Sequence, residues 1–146
     1  MREEDAEGFS GTALIARDPY VAFAKLAALF EPRPLRAPGV HPSSVIDESA
    51  QVDASAHIGP HVSVGARSRI EAGAVIGAGC VIGEDCVVGS ASELVARVTL
   101  VARVRLGQRV VVHPGAVIGA AGFGLAMEAR HWLNLPQLRG VVIGGV

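Results

Sequence analysis

From Val40 onward an aliphatic residue returns at every sixth position. Val40, Ile46, Val52, Ile58, Val64, Ile70, Ile76, Ile82, Val88, Leu94, Leu100, Leu106, Val112 and Ile118 hold that frame without a slip. Taking them as the first slot, the fifth slot is mostly small, from Ser44, Ala50 and Ala56 through Ser68, Ala74, Cys80 and Cys86 to Ala116 and Gly122. The second slot is often glycine: Gly59, Gly65, Gly77, Gly83, Gly89, Gly107 and Gly119. A period of six does not keep residues on one face of a helix. It fits a very short strand followed by a bend, with three units closing a triangular coil. Coils of this kind stack in parallel at about 4.8 Å, the ordinary strand spacing. The fold class is therefore all-β, a parallel β-helix with the first-slot side chains inside. The second-slot glycines are expected to permit tight or left-handed backbone geometry.

Residues 1–39 do not follow this pattern. Gly11-Thr12-Ala13-Leu14-Ile15-Ala16 reads as one short strand. Asp18 is placed to cap a helix with Pro19 in its first turn. Tyr20, Phe23, Ala27 and Phe30 then recur at helical spacing. Glu31-Pro32-Arg33-Pro34 should end that helix, because proline cannot continue the hydrogen-bond ladder. Pro38-Gly39 completes a linker. One strand and one helix cannot close a core, so residues 1–39 read as the remnant of a preceding domain and 40–146 as the β-helix. The repeat breaks after Ala121. An insertion over about 122–140 runs through Trp132, Pro136 and Gln137, and a new repeat starts at Val141-Val142-Ile143-Gly144. An unpaired last coil is normally capped or continued. The sequence is thus read as an excerpt of a longer protein, expected to self-associate when expressed alone.

Composition narrows the partners. A formal net charge of -1 with 18% charged residues gives no field to draw in a nucleic-acid backbone. Aromatics at 4% leave no stacking platform for single-stranded bases. No apolar run approaches the roughly 18 residues of a membrane span. The acidic start Met1-Arg2-Glu3-Glu4-Asp5 is the wrong flank for a signal peptide, which points to the cytoplasm. Cys80 and Cys86 share a slot one repeat apart and read as buried free thiols.

Residues 18 apart lie above one another on one face of such a coil. The sixth-slot column Val45, Ser63, Val81, Thr99, Val117 carries no charge, whereas the other two columns contain charge or histidine. An uncharged exposed column suits a subunit interface, satisfied by a homotrimer about a threefold axis. His41 and His113 share a face but stand four coils apart, about 19 Å at the ordinary strand spacing, too far for one metal ion. His57 and His61 fall in different slots, and His131 lies in the insertion. No metal is expected, and no cofactor. Arg97, Arg103 and Arg109 point in three directions. Arg67 and Arg103 share a face two coils apart, where a phosphate contact would need help from a neighbouring subunit. Gly122-Phe123-Gly124 lacks the strand, loop and helix setting of a nucleotide-binding loop.

Three stretches together resemble the UDP-3-O-acylglucosamine N-acyltransferase family. They are Gly11-Thr12-Ala13-Leu14-Ile15-Ala16-Arg17-Asp18-Pro19-Tyr20, the hexapeptides, and His113-Pro114-Gly115-Ala116-Val117-Ile118-Gly119-Ala120-Ala121-Gly122-Phe123-Gly124. Trp132-Leu133-Asn134-Leu135-Pro136-Gln137-Leu138 is similar to that family's insertion, so the resemblance covers about residues 10–144. It implies a left-handed β-helix and a homotrimer. It implies transfer of a 3-hydroxyacyl group from acyl carrier protein to the 2-amino group of a UDP-linked, 3-O-acylated glucosamine, a step of lipid A synthesis. It makes residues 1–39 the remnant of a uridine-binding domain. The resemblance places a histidine as general base, with backbone donors steadying the oxyanion as the amine attacks the thioester. That histidine belongs to coils beyond Val146, and none of His41, His57, His61, His113 or His131 matches it. Gly122, Phe123 and Gly124 match the loop near the acceptor and acyl site and are the candidate substrate-binding residues. Departures from the family pattern fall at Asp18, Val101-Ala102, Ala121 and Leu138-Arg139-Gly140. The excerpt alone is expected to be inactive. The alternatives are another hexapeptide-repeat acyltransferase or a non-catalytic trimerisation scaffold.

Overall fold

The computed structural model describes residues 1–30, 36–136 and 140–145. The chain divides into two compact units, Met1–Leu35 and Arg36–Val146.

In the first unit a single α-helix spans Pro19–Phe30. The Asp18 carboxylate accepts the amides of Tyr20 and Val21, both at 3.1 Å, and so satisfies two donors that have no partner within the helix. The stretch expected as a strand, Gly11–Ala16, is not one. A strand exists through a paired neighbour, and among the described residues its main chain meets only the N-terminus. The Met1 ammonium donates to the Leu14 carbonyl at 2.9 Å, and the Ala16 amide donates to the Met1 carbonyl at 3.0 Å. The helix buries none of its residues within this unit, leaving Tyr20, Phe23 and Phe30 exposed. The Glu31-Pro32-Arg33-Pro34 helix stop lies outside the described residues.

The second unit is a parallel β-helix of three five-stranded sheets. Sheet A stacks Gly39–Val40, His57–Ile58, Val75–Ile76, Glu93–Leu94 and Val111–Val112. Sheet B stacks Val45–Ile46, Ser63–Val64, Val81–Glu84, Thr99–Ala102 and Val117–Ile118. Sheet C stacks Gln51–Val52, Arg69–Ile70, Val87–Val88, Arg105–Leu106 and Val142–Ile143. Pairing advances by 18 residues per coil, as in Ile58 to Ile76 and Ile82 to Leu100. The one departure spans the insertion, where Leu106 pairs with Ile143 and skips Gly124, the residue that the frame would have delivered.

The core is the two inward slots. First-slot Ile58, Ile70, Ile76, Ile82, Leu94 and Leu100 are fully buried, interleaved with fifth-slot Ala56, Val62, Ala74, Val98 and Val104. Fifth-slot serines carry a hydroxyl into this apolar column without leaving it unpaired. Ser68 Oγ donates to the Gly83 carbonyl at 2.7 Å and accepts the Cys86 amide at 2.9 Å. Ser92 repeats the bridge to Gly107 and Val110, and Ser44 to Gly59 and Val62. Cys80 and Cys86 are buried free thiols, and burial raises the pKa of both.

The glycine expectation needs correction. Among the second-slot glycines only Gly119 has positive φ. The others are required by close approach between coils. A Cβ on Gly77 would stand 1.7 Å from the Val95 carbonyl oxygen, and one on Gly83 only 1.6 Å from that of Val101. Left-handed backbone falls instead on the fourth slot, at Gly73, Gly79 and Gly115. There His61, Arg67, Asp85, Ala91, Arg97, Arg103 and Arg109 adopt it without glycine's freedom.

Candidate functional site

After the strand Val117–Ile118, Gly122-Phe123-Gly124 leads the chain into an antiparallel hairpin of Leu125–Glu128 and His131–Asn134. The insertion expected from the broken frame therefore has regular structure of its own. Cross-strand partners share a face. One face carries Leu125 opposite Asn134 and Met127 opposite Trp132; the other carries Ala126 opposite Leu133 and Glu128 opposite His131. Ala129 and Arg130 turn the hairpin with positive φ at both positions, the signature of a two-residue type I′ turn. Met127, Trp132, Leu133 and Leu135 are all exposed, and Phe123 is 94% exposed.

Of the three candidate substrate-binding residues, Phe123 offers the large apolar surface. Gly124 anchors the base of the hairpin. Its carbonyl accepts the Leu135 amide at 2.9 Å, and a Cβ here would press on the Leu135 side chain at 3.2 Å. Gly122 is exposed beside them. The segment thus supplies an apolar ring and an apolar arm for an aliphatic chain or a partner surface. Titratable groups enter this arm only as Glu128, Arg130 and His131.

The histidines are scattered. His57 Nδ1 donates to the Ala37 carbonyl at 2.7 Å, and His41 Nδ1 meets Ser43 Oγ at 2.9 Å. His41 and His113 lie at opposite ends of the sheet A stack. Among the described residues no group of three or more His, Cys, Asp or Glu is placed to hold a metal ion.

The arginine column on the corner between sheets B and C is committed internally. Asp85 stands between Arg67 and Arg103, one coil from each. Arg67 grips it through Nε and an Nη, both at 2.8 Å, and reaches Glu84 at 3.0 Å. This paired hydrogen bond holds the Asp85 carboxyl below the usual carboxylate range and the Arg67 guanidinium above its own. A hollow of about 420 Å³ lies beside it, lined by Asp85, Arg103, Arg105, Gly140 and Val142.

A further set of contacts lies away from the expected site residues. In the first coil, Asp47 Oδ1 accepts both the amide and the hydroxyl of Ser49, at 2.9 and 2.6 Å. Asp53 does the same for Ser55, at 2.9 and 2.5 Å. The signal was present, since Ser43, Ser49 and Ser55 occupy the fourth slot of three consecutive units, each two residues after His or Asp.

Residues 43–78 match the family described as Bacterial transferase hexapeptide (six repeats). With that match the coil is the left-handed parallel β-helix. The UDP-3-O-acylglucosamine N-acyltransferase of Xanthomonas euvesicatoria pv. vesicatoria is 77% identical over 144 residues, covering 99% of this chain and 43% of the relative. The protein of that name from Xylella fastidiosa (strain 9a5c) is 72% identical over the same shares. Among solved structures, a GDP-perosamine N-acetyl transferase from Caulobacter crescentus is 32% identical, covering 58% of this chain and 43% of that one, with a TM-score of 0.34. The chain spans less than half the length of the curated relatives it matches. Across those 144 residues the chain is similar to the UDP-3-O-acylglucosamine N-acyltransferases of these organisms.

Proposed function

We propose that this chain is the β-helical segment of an enzyme that transfers a 3-hydroxyacyl group to the 2-amino group of UDP-3-O-acylglucosamine, in lipid A biosynthesis. The observation that carries this reading is 77% identity over 99% of the chain to a relative bearing that activity's name. The donor is acyl carrier protein, whose thioester is attacked by the sugar amine. A general base takes the amine proton, and the thiol of the carrier leaves as the amide forms. The base is a histidine outside this chain. Gly122, Phe123 and Gly124 serve the acceptor and acyl chain, with Phe123 as the apolar wall. Residues 1–39 are the end of a uridine-binding domain.

The active assembly in this reading is a cytoplasmic homotrimer. Sheet B supports it, since its outward Val45, Val81 and Val117 are exposed and its column is free of charge. Among the described residues no helix is long and apolar enough to cross a membrane.

The test is replacement. The 144 matched residues are exchanged into the Xanthomonas euvesicatoria relative, and N-acyl transfer from an acyl-carrier thioester is measured. Transfer within about tenfold of the parent supports the reading. A hybrid that folds and assembles with no transfer overturns it in favour of the scaffold.

A further inference from the structure

The first coil, Gly39 to Ala56, is joined to the second differently from every later junction. From the third coil on, the fourth-slot amides as far as Gly115 donate to a third-slot carbonyl of the coil before: Gly79 to Pro60, Ala91 to Ala72, Arg97 to Ala78. The second coil's own fourth-slot amides do not. His61, Arg67 and Gly73 donate to the hydroxyls of Ser43, Ser49 and Ser55, at 3.0, 2.9 and 2.9 Å. All three corners make the same substitution.

Each hydroxyl is aimed by a second side chain. Ser49 and Ser55 give their protons to Asp47 and Asp53, which leaves oxygen lone pairs free for the next coil's amide. The same carboxylates hold the amides of Ser49 and Ser55. At the third corner His41 takes the aspartate's place. Its Nδ1 accepts the Ser43 amide at 3.2 Å and lies 2.9 Å from Ser43 Oγ. An amide can only donate, so this nitrogen carries no proton in the arrangement seen. Each relay therefore runs from the acceptor, through the serine, to the next coil, and each requires a deprotonated acceptor. At the two aspartate corners these bonds are charge-assisted, a kind roughly twice as strong as neutral ones.

We propose that the first coil is an acid-released end of the β-helix, latched to the second coil at its three corners by the His41–Ser43, Asp47–Ser49 and Asp53–Ser55 relays.

The groups around the latch set its sign. The Ser49 hydroxyl, then its amide, holds the Asp47 carboxyl below its ordinary value, and Arg67 on the next coil adds attraction. Ser55 does the same for Asp53, which shares a hollow with Arg69 and Glu71. Depressed folded values mean that these two relays are intact above the ordinary carboxylate range. They are lost as pH falls through the folded values. Protonating His41 Nδ1 sets a donor against the Ser43 amide and opens the remaining corner.

Residue-resolved hydrogen exchange on the whole chain tests this, with rates corrected for intrinsic exchange. Between pH 7 and pH 3 the protection of the His61, Arg67 and Gly73 amides is expected to fall at least tenfold more than that of Gly79, Ala91 and Arg97. In a His41→Asn, Asp47→Asn, Asp53→Asn chain the acceptors remain but no longer titrate, so the excess loss is expected to vanish. An equal fall in both sets of amides overturns the proposal, because it signals acid unfolding of the whole coil stack. An excess that persists in the asparagine chain also overturns it. The comparison within the unmodified chain stands even where the triple variant fails to fold.

Discussion

Residues in the same repeat make opposite demands on glycine. At Gly83 the obstacle is the neighbouring coil, whose carbonyl occupies the space of a Cβ. Gly83→Ala is expected to destabilise the chain by about 3 kcal/mol, the upper end of overpacking costs, read as a lowered denaturation midpoint. At Ala91 the obstacle is its own backbone, at φ 55 with an exposed side chain. Ala91→Gly is expected to raise stability by about 0.5–1 kcal/mol, since relief of left-handed strain exceeds the glycine's lost entropy. Composition could not separate these cases. The second-slot glycines were legible as a pattern, but their cause was not. Close approach between coils depends on positions 18 apart in sequence, whereas a positive φ is local.

Charge at this scale is also paired along the column. Arg67 grips Asp85 with both side chains partly in solvent, so its contribution to stability is screened. The direction of titration is still testable. Arg67→Ala is expected to bring the Asp85 carboxyl back up toward the ordinary range, followed by carbon chemical shift against pH. In the unmodified chain the pair's contribution is complete above the ordinary carboxylate range and fades as pH drops through the depressed folded value. An unchanged midpoint in Arg67→Ala would show that the guanidinium does not hold the carboxylate.

Among elements, strands as short as two residues were legible because each lies where an aliphatic first slot follows an outward sixth slot. Val45–Ile46 and Arg69–Ile70 are examples. The insertion was legible only as a break. Its hairpin lacks the usual Asn-Gly turn and uses Ala129-Arg130, so no turn residue announced it. The supposed strand at Gly11–Ala16 failed for the converse reason, since its composition suits a strand but none of the described residues pairs with it as a strand. An isolated hairpin is marginal in water. Ala129→Asn with Arg130→Gly is expected to tighten this one, with amide exchange over Leu125–Asn134 slowing severalfold. No change would mean that the turn does not limit hairpin stability.

For the whole molecule, the period fixed the architecture, and resemblance supplied what geometry in a single chain does not. The uncharged sheet B column was visible as residues 18 apart, and it is the face proposed to meet another copy. Val81→Asp places a charge in its centre and is expected to shift the chain toward monomer in sedimentation analysis, with the coil stack intact by circular dichroism. An unchanged assembly would move the interface elsewhere. The candidate site divides in the same way. Gly122, Phe123 and Gly124 were identified from their match to a family loop, and the structure adds that Phe123 is almost wholly exposed ahead of an apolar hairpin.

That exposure makes Phe123 the residue to measure. In the hybrid enzyme that carries this segment, Phe123→Ala is compared with the unmodified hybrid for kcat/KM of N-acyl transfer and for melting temperature. Loss of at least tenfold in kcat/KM with an unchanged melting temperature is expected when the ring lines the acceptor and acyl site. Full activity in the alanine hybrid would contradict the placement of the reaction beside Gly122-Phe123-Gly124.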